Sequence, residues 1–244
     1  MYIIYIMTSI TILHHLGLGD QIMLNGMVRH FVENVNVNIF VKQHHEKSVE
    51  FMYKDIRDRV NIIPLDNVNP SYIRSKIPEG SIVLPLATYG MDDAAWNVYT
   101  SSTNWAHGVY LQAKVNPLYM YTKFKVIRNN SIQITPPSKD YIFVHDDHER
   151  ILHINISSDK FIYRPDSKLV NNHFFQCDNF NIFNYIHIIE NANEVHCMDS
   201  SYAWMIEMMK LGNKSKNFLH VSIKGYYKDD IVKTVYNDQL WTFI

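Results

Sequence analysis

The chain has 244 residues, of which 47% are hydrophobic and 19% are charged. This length and apolar content exclude a disordered chain and allow one large domain or two small ones. The 23 basic and 24 acidic side chains leave a formal charge of −1 and include no long basic run, which excludes a duplex-binding protein that relies on a basic surface.

The first segment, MYIIYIMTSITIL, is apolar and predicts a buried strand rather than a membrane anchor. A helix that spans a bilayer needs about 20 apolar residues, and this segment also lacks the basic region and cleavage site of a signal peptide. The two cysteines, Cys177 and Cys197, lack the spacing of a zinc site or a disulfide scaffold. We expect no membrane span and a reducing, cytoplasmic location.

Strands and helices alternate along the first half of the chain. Short β-branched runs predict the strands, and apolar residues spaced i, i+4 predict a helix over 20–34. Residues 45–56 predict a second helix, and residues 92–128 are predicted to be mostly helical. Such alternation predicts a parallel sheet covered by helices. The predicted strands lie at 9–14, 37–43, 59–66 and 81–88.

The polar stretch at 129–140, NNSIQITPPSKD, contains a Pro-Pro pair and is the predicted linker. A second alternation follows it. We therefore predict an α/β fold of two Rossmann-like domains, residues 1–130 and 138–244, each with a mostly parallel sheet. The predicted elements of the second domain are strands at 141–145, 160–165, 194–198 and 217–223 and helices at 180–192 and 200–212.

Ligands of parallel α/β sheets bind beyond the carboxyl ends of the strands, where loops lead into helices. The first such loop is HHLGLGD at 14–20. Gly17 and Gly19 match two glycines of a dinucleotide-binding fingerprint, but the third glycine is replaced by Ile22. No acidic residue ends the second strand either, which disfavours an NAD site. Asp20 either caps the following helix or carries chemistry.

The second loop, VHDDHER at 144–150, combines residue types that bind metals with one that binds phosphate. Neighbouring residues of an extended loop rarely converge on one ion, so we predict no metal site. Arg150 carries a planar guanidinium that can donate several hydrogen bonds to a phosphate. A solvated charged turn is the alternative interpretation.

The third loop is the segment Asp199-Ser200-Ser201, which opens a strongly apolar helix after a strand. The N-terminus of a helix presents free N–H groups and the positive end of the dipole, which favours a phosphate. The serine hydroxyls add two further donors. The alternative interpretation is an ordinary helix cap, because Asp and Ser are common at that position.

Three segments resemble those of a known family. HHLGLGDQIMLNGMVR resembles the N-terminal glycine loop of GT-B glycosyltransferases, in particular heptosyltransferase-like enzymes with a Gly-Asp pair before the first helix. EVHCMDSSYAWMIEMM resembles their C-terminal segment, with Ser201 where those enzymes usually have glycine. YIFVHDDHER is similar to the start of the nucleotide-sugar-binding domain of small glycosyltransferases from bacteria and large DNA viruses. The resemblance implies two domains facing a cleft, and the host cytoplasm as the location of a viral enzyme.

The resemblance also implies residue roles. Asp20 is the expected catalytic base, and His14 and His15 are further candidates for the base or for a group that orients it. Of these two histidines, His15 is the predicted catalytic partner. The expected acceptor-side loop is Gly17, Leu18 and Gly19. The expected donor-binding residues are His145, Asp147, Arg150, Lys160, Arg164, Asp199, Ser200 and Ser201.

The predicted function is transfer of a sugar, such as the deoxyhexose rhamnose, from a nucleotide-diphosphate donor of UDP or GDP type to a hydroxyl of a glycan. We expect inversion at the sugar carbon, no bound metal or other cofactor, and no nucleic-acid partner. The apolar C-terminal residues are expected to pack on the first domain.

Two other functions remain open. The first is a metal-dependent hydrolase that uses His145, Asp146, Asp147 and His148. The second is a non-catalytic module that binds carbohydrate or nucleotide. The aromatic side chains that could line a carbohydrate site in such a module are Tyr89, Trp96, Trp105 and Tyr110. Aromatic side chains also fill protein cores, which is the alternative interpretation of each of them.

Overall fold

The computed structural model describes residues 9–86, 104–129, 134, 139–146, 152–165, 181–221 and 233–244. The chain divides into two compact units, residues 1–127 and 128–244. Each unit contains its own parallel β-sheet in the described ranges. The predicted α/β class, with two Rossmann-like units, is confirmed.

The sheet of the first unit has the strand order β3-β2-β1-β4, and all its described pairs are parallel. The register places Ile12 between Ile39 and Leu84, so the apolar positions of neighbouring strands lie side by side. Parallel strands that are covered on both faces are expected to carry such apolar runs. The strands are β1 Ser9–Leu13, β2 Asn36–Lys42, β3 Val60–Leu65 and β4 Ile82–Pro85.

Helices follow the strands in the order that the sequence predicts. The described helices of this unit are α1 Leu18–Phe31, α2 Glu46–Met52, α3 Pro70–Ser75, α4 Trp105–Gln112 and α5 Tyr119–Thr122. Short 3₁₀ turns at Gln43–His45 and Lys54–Ile56 flank α2. The segment between β3 and β4 contains α3, whose buried Ile73 packs with Phe40 and Leu65.

Helix α1 is the most deeply packed helix of the first unit. Gly26 allows its close approach to α5, because a Cβ at that position would overlap the backbone carbonyl oxygen of Tyr119. The Tyr110 hydroxyl donates to the carbonyl oxygen of Met23 at 2.9 Å and accepts from the N–H of Met27 at 3.0 Å. Tyr110 is therefore a core residue that fixes α1, rather than an aromatic side chain presented to a glycan.

The sheet of the second unit has the order β6-β5-β7-β8-β9, again with parallel pairs throughout the described residues. Its helices lie before and after β7, and a 3₁₀ turn at Ile182–Tyr185 precedes the first of them. The strands are β5 Tyr141–His145, β6 Phe161–Tyr163, β7 Glu194–Met198, β8 Asn217–His220 and β9 Thr242–Phe243. Two helices have both ends in the described residues, α6 Ile186–Asn191 and α7 Ser201–Met209, and residues 233–235 are also helical.

The last residues form part of the second unit, and the expectation that they pack on the first domain stays a prediction. Strand β9 extends the second sheet by pairing with β8. Trp241 is fully buried, and its indole N–H donates to the carboxylate of Glu207 in α7 at 2.8 Å. A buried indole needs such an acceptor, and the sequence alone does not reveal where its partner lies.

No helix in the described ranges is both long enough and apolar enough to cross a membrane.

Candidate functional site

The order of the strands identifies where a ligand site is expected in each unit. In the first sheet β1 lies between β2 and β4, and in the second sheet β5 lies between β6 and β7. The chain changes direction across the sheet at these points, and ligands of open α/β sheets bind there, beyond the carboxyl ends of the strands. The loops that follow β1, β5 and β7 are therefore the candidate positions.

In the loop after β1, Asp20 is not the cap of the following helix. Helix α1 begins at Leu18 and has Gly17 at its N-cap position without a side-chain cap, so Asp20 lies in the first turn. The carboxylate folds back over Gly17, because a Cβ there would lie 2.5 Å from Asp20 Oδ2. The interpretation of Asp20 as an N-cap is thus wrong, and Gly17 makes room for its carboxylate.

Core contacts hold this loop in place. Leu16 is buried and packs with Leu13 and Phe40, which anchors the middle of the loop to the sheet. The side-chain amide of Gln21 donates to the carbonyl oxygen of Phe40 at 2.7 Å, which fixes the first turn of α1 to β2. The position of the Asp20 carboxylate is therefore set by residues on both sides of it.

Asp20 forms an ion pair with His15. The distance from His15 Nδ1 to Asp20 Oδ2 is 3.5 Å, and the side chains are 62% and 21% exposed. The hydrogen bond with Asp20 raises the pKa of His15, although partial burial opposes that effect. The pair thus presents a solvent-accessible carboxylate and imidazole in one loop, as general acid–base chemistry requires.

His14 differs from its neighbour in both exposure and charge. It is 2% exposed, and burial lowers its pKa to about 4, so it is neutral at pH 7. Neither ring nitrogen has a hydrogen-bond partner of normal geometry within the described part of the chain. Of the two histidines, only His15 is accessible to an acceptor substrate.

In the second unit, the end of β5 and the loop after β7 bring His145 and Ser200 together. Ser200 is the N-cap of α7, and its Oγ accepts from the N–H of Ala203 at 3.4 Å. The Oγ lies 3.2 Å from His145 Nδ1, and the imidazole packs against the Tyr202 ring at a tilt of 32°, with 4.1 Å between centroids. Ser201 is the first residue of α7, so its N–H points along the N-terminal end of the helix.

Asp199 has a partner that sequence reasoning missed. The hydroxyl of Tyr236 donates to Asp199 Oδ1 at 2.6 Å. The sequence places the segment that contains Tyr236 in the second domain, with its apolar end expected to pack on the first. No pattern in the sequence therefore indicates the contact between Asp199 and Tyr236, which is evident only from the sheet order that places this segment next to α7.

Asp146 is occupied by structural contacts. It is 4% exposed and accepts from the Ile154 N–H at 2.8 Å and from the guanidinium of Arg164. Burial opposes ionisation of Asp146, but the hydrogen bonds and the positive charge outweigh it and lower the pKa of this carboxyl. His153 Nδ1 lies 3.5 Å from the same carboxylate. The positive charge of Arg164, a predicted donor-binding residue, is therefore balanced by the carboxylate of Asp146.

Lys160 does not join the other predicted donor-binding residues. Lys160 precedes β6, whereas His145 is the last residue of the parallel strand β5. The two residues therefore lie at opposite ends of the strands, Lys160 at the amino ends and His145 at the carboxyl ends. Its Nζ is 4.0 Å from carboxylate oxygens of Asp140 and Glu194. Asp147 and Arg150 were also predicted to bind the donor, and both lie outside the described residues.

The hydrolase hypothesis receives no support from the described part of its loop. His145 contacts Ser200 and Tyr202, whereas Asp146 contacts Arg164 and Ile154, so their side chains have separate surroundings. In the described ranges, no group of three or more His, Cys, Asp or Glu residues could hold a metal ion. His148, Tyr89 and Trp96 lie outside those ranges.

A pair of histidines on the second sheet was also missed. His196 Nδ1 lies 3.0 Å from His220 Nε2, and His196 Nε2 lies 3.2 Å from Glu194 Oε2. Burial lowers the pKa of both imidazoles, that of His220 to about 4. The alternation of Glu194 and His196 predicts a shared face of β7, but only the sheet order shows that His220 is adjacent.

Comparison with known proteins gives a likeness in structure alone. No protein-family model matches the sequence, and no curated protein matches it. The chain resembles the bacterial iron-containing dodecameric glycosyltransferase TibC from enterotoxigenic E. coli H10407, with a TM-score of 0.50 and 7% identity. This likeness is one of fold. It covers 87% of this chain and 57% of TibC, so the chain spans little more than half of that protein.

Two further structures show weaker likeness. E. coli heptosyltransferase WaaC with ADP has a TM-score of 0.47 and 8% identity over 97% of this chain and 93% of WaaC. WaaC with ADP-2-deoxy-2-fluoro heptose has a TM-score of 0.42 and 9% identity, and 91% of each chain is covered.

Proposed function

We propose that the protein is a glycosyltransferase that moves a sugar from a nucleotide-diphosphate donor to a hydroxyl group of a glycan. The first unit activates the acceptor hydroxyl, and the second unit binds the donor. The fold that the chain shares with TibC supports this class of reaction. The donor is of UDP or GDP type, with a deoxyhexose such as rhamnose as the sugar.

The observation that carries the proposal is the Asp20 carboxylate. It is partly exposed, it folds over Gly17, and it lies in the first turn of α1 without serving as the N-cap. A carboxylate that only stabilised the helix would not require a paired, exposed imidazole beside it. Asp20 is therefore available to accept a proton.

The reaction follows from this base. Asp20 accepts the proton of the acceptor hydroxyl as that oxygen forms a bond to the anomeric carbon of the donor sugar. The bond between that carbon and the phosphate oxygen breaks, and the nucleoside diphosphate leaves with the electron pair. Direct displacement by a single attacking oxygen inverts the anomeric centre.

His15 adjusts the basicity of the pair. A protonated His15 forms an ion pair with the Asp20 carboxylate, whereas a neutral His15 can accept the proton that Asp20 receives. Because the Asp20 contact raises the pKa of His15, the active pair of neutral His15 and ionised Asp20 forms at a higher pH than it would with an unperturbed histidine. The rate is therefore expected to rise with pH through that raised pKa.

The donor side uses the N-terminus of α7. Its free N–H groups and dipole favour the negative charge of the leaving diphosphate. The hydroxyl of Ser200 and the imidazole of His145 are neighbours at this end of the helix. Arg164 is paired with Asp146, and Lys160 lies at the amino end of β6, away from this helix end. The N-terminus of α7 and His145 therefore stabilise the charge of the leaving diphosphate to a greater extent than the sequence predicted.

The first test is a search for the donor. A panel of UDP-, GDP-, ADP- and dTDP-sugars is screened by thermal shift, because a bound donor raises the unfolding midpoint by mass action. Hits are then incubated with glycan acceptors, and transfer is followed by mass spectrometry. Absence of any nucleotide-sugar binding would overturn the proposal.

The second test replaces Asp20 by Asn, which keeps the shape of the side chain and removes its basicity. We expect kcat to fall by about 10²–10⁴-fold, the usual contribution of a general base. The matched control is Asp66→Asn, which alters an exposed carboxylate at the end of β3. Full activity of Asp20→Asn would rule out Asp20 as the base.

A further inference from the structure

The C-terminal segment 233–244 forms two hydrogen-bonded anchors on α7 and the loop before it. One anchor is Glu207, which is 4% exposed and accepts from the Trp241 indole at 2.8 Å and from the Asn237 N–H at 3.2 Å. The other anchor is the hydrogen bond from the Tyr236 hydroxyl to Asp199 Oδ1 at 2.6 Å. The segment is thus fixed at Tyr236 and at two residues that follow it.

Tyr236 is itself held rigidly. It is 4% exposed, and its ring packs against Trp204 and Trp241 with centroid distances of 5.2 and 6.0 Å. Two large neighbours of this kind leave the phenol one orientation. Its hydroxyl therefore points at a fixed place, and the carboxylate that accepts from it is restrained as well.

Asp199 is the residue that most needs such restraint. It lies between the end of β7 and the N-cap Ser200, at the carboxyl edge of the sheet, where a short side chain can adopt more than one rotamer. A hydrogen bond from a buried hydroxyl to a carboxylate is among the stronger kinds, because one partner is charged.

We propose that Tyr236 is a positioning residue for donor binding, which holds the Asp199 carboxylate in the orientation that the donor requires. This inference rests on the proposed function, because it assigns Asp199 to the donor site. It makes the C-terminal segment part of that site, although none of its own residues touches the donor.

The test compares two Tyr→Phe variants that each remove one buried hydroxyl from the second unit. Tyr236→Phe removes the bond to Asp199. Tyr141→Phe removes an equally short bond, 2.6 Å to the carbonyl oxygen of Ile188, from the start of β5. Both are expected to lower the unfolding midpoint by similar amounts, so a difference in binding between them does not reflect stability.

Binding of UDP, GDP, ADP and dTDP to each protein is measured by calorimetry. For the diphosphate that the wild type binds, we expect Tyr236→Phe to weaken Kd about tenfold and Tyr141→Phe to change it less than twofold. Equal effects of the two variants would overturn the positioning role and leave the proposed function intact. Failure of the wild type to bind any of the four would overturn both.

A double-mutant cycle separates positioning from a general structural effect. If Tyr236 acts through Asp199, Tyr236→Phe should weaken binding no further in an Asp199→Ala background. A further tenfold loss in that background would show that Tyr236 acts by another route, and the proposal would fail.

Discussion

Two polar loops, one after β1 and one after β7, both follow the carboxyl end of a strand but differ in the contacts of their side chains. In the first loop, Asp20 is partly exposed beside the exposed His15, and the ring nitrogens of the buried His14 lack a hydrogen-bond partner of normal geometry among the described residues. In the second loop, Asp199 accepts from Tyr236, and Ser200 contacts both His145 and the N-terminus of α7.

This difference indicates that the first loop serves proton transfer and the second loop serves ligand binding, a division of labour between the two loops. A group that must gain and lose a proton during a reaction needs an accessible position and few competing donors, as Asp20 has. Groups that must hold a ligand in one geometry benefit from supporting hydrogen bonds, as Asp199 and Ser200 have. The comparison predicts that changes in the first loop alter turnover and titration, whereas changes in the second alter affinity.

The largest predicted effect concerns His14 and acid stability. Its pKa is about 4 in the folded protein and about 6.5 in the unfolded chain, so unfolding takes up a proton between these values. The contribution of His14 to the free energy of unfolding is therefore fully present above pH 6.5 and is lost as the pH falls towards 4. The loss approaches about 3 kcal/mol, at 1.36 kcal/mol per pKa unit.

His14→Leu removes this titration, so its unfolding free energy should fall less than that of the wild type between pH 7 and pH 4, as measured by urea unfolding. His15→Leu is the matched control. The pKa of His15 is raised, so its contribution is present at low pH and lost as the pH rises, which gives the opposite slope. Identical pH profiles of the wild type and His14→Leu would contradict a buried neutral His14.

The next effect concerns the space over Gly17. In Gly17→Ala the new methyl group would collide with the Asp20 carboxylate, which is a mobile side-chain end and can move away. We expect kcat to fall about 10–100-fold, because a displacement of about 1 Å is enough to cost that much, while the unfolding midpoint changes little.

Gly26→Ala in the same helix should show the reverse pattern. Its methyl group would meet backbone atoms of Tyr119 and Met120, which cannot move independently. We expect a loss of about 1–3 kcal/mol in unfolding free energy and no specific loss of kcat in the protein that remains folded. A large loss of stability in Gly17→Ala would show that this glycine serves the fold rather than the carboxylate.

The sequence predicted the fold better than it predicted the surroundings of the site residues. Strand and helix alternation follows from local apolar patterns, and each of the nine described strands except β9 overlaps a predicted strand. The placement of Asp20 depended on whether α1 begins at residue 18 or 20. Local patterns locate helix ends poorly, and Gly17 gives no side-chain cap to mark the start.

The partners of site residues were harder to predict, because they are distant in the chain. The contact between Asp199 and Tyr236 joins residues 37 positions apart, and that between His145 and Ser200 joins residues 55 apart. Lys160 was placed with the donor site, together with Arg164, because the family resemblance implies a basic residue there after the first strands of the second domain. The three-residue strand β6 separates Lys160 from Arg164, so the two residues lie at opposite ends of that strand.

Calorimetric titration of the bound nucleoside diphosphate into Asp20→Asn and Ser200→Ala tests the division of labour most directly. The account predicts that Asp20→Asn binds with a Kd within about twofold of the wild type, whereas Ser200→Ala, which loses one hydroxyl, binds about three- to tenfold more weakly. The titrations are made well below the unfolding midpoint, because Ser200→Ala also loses a helix cap. Weakened binding in Asp20→Asn together with unchanged binding in Ser200→Ala would contradict the account.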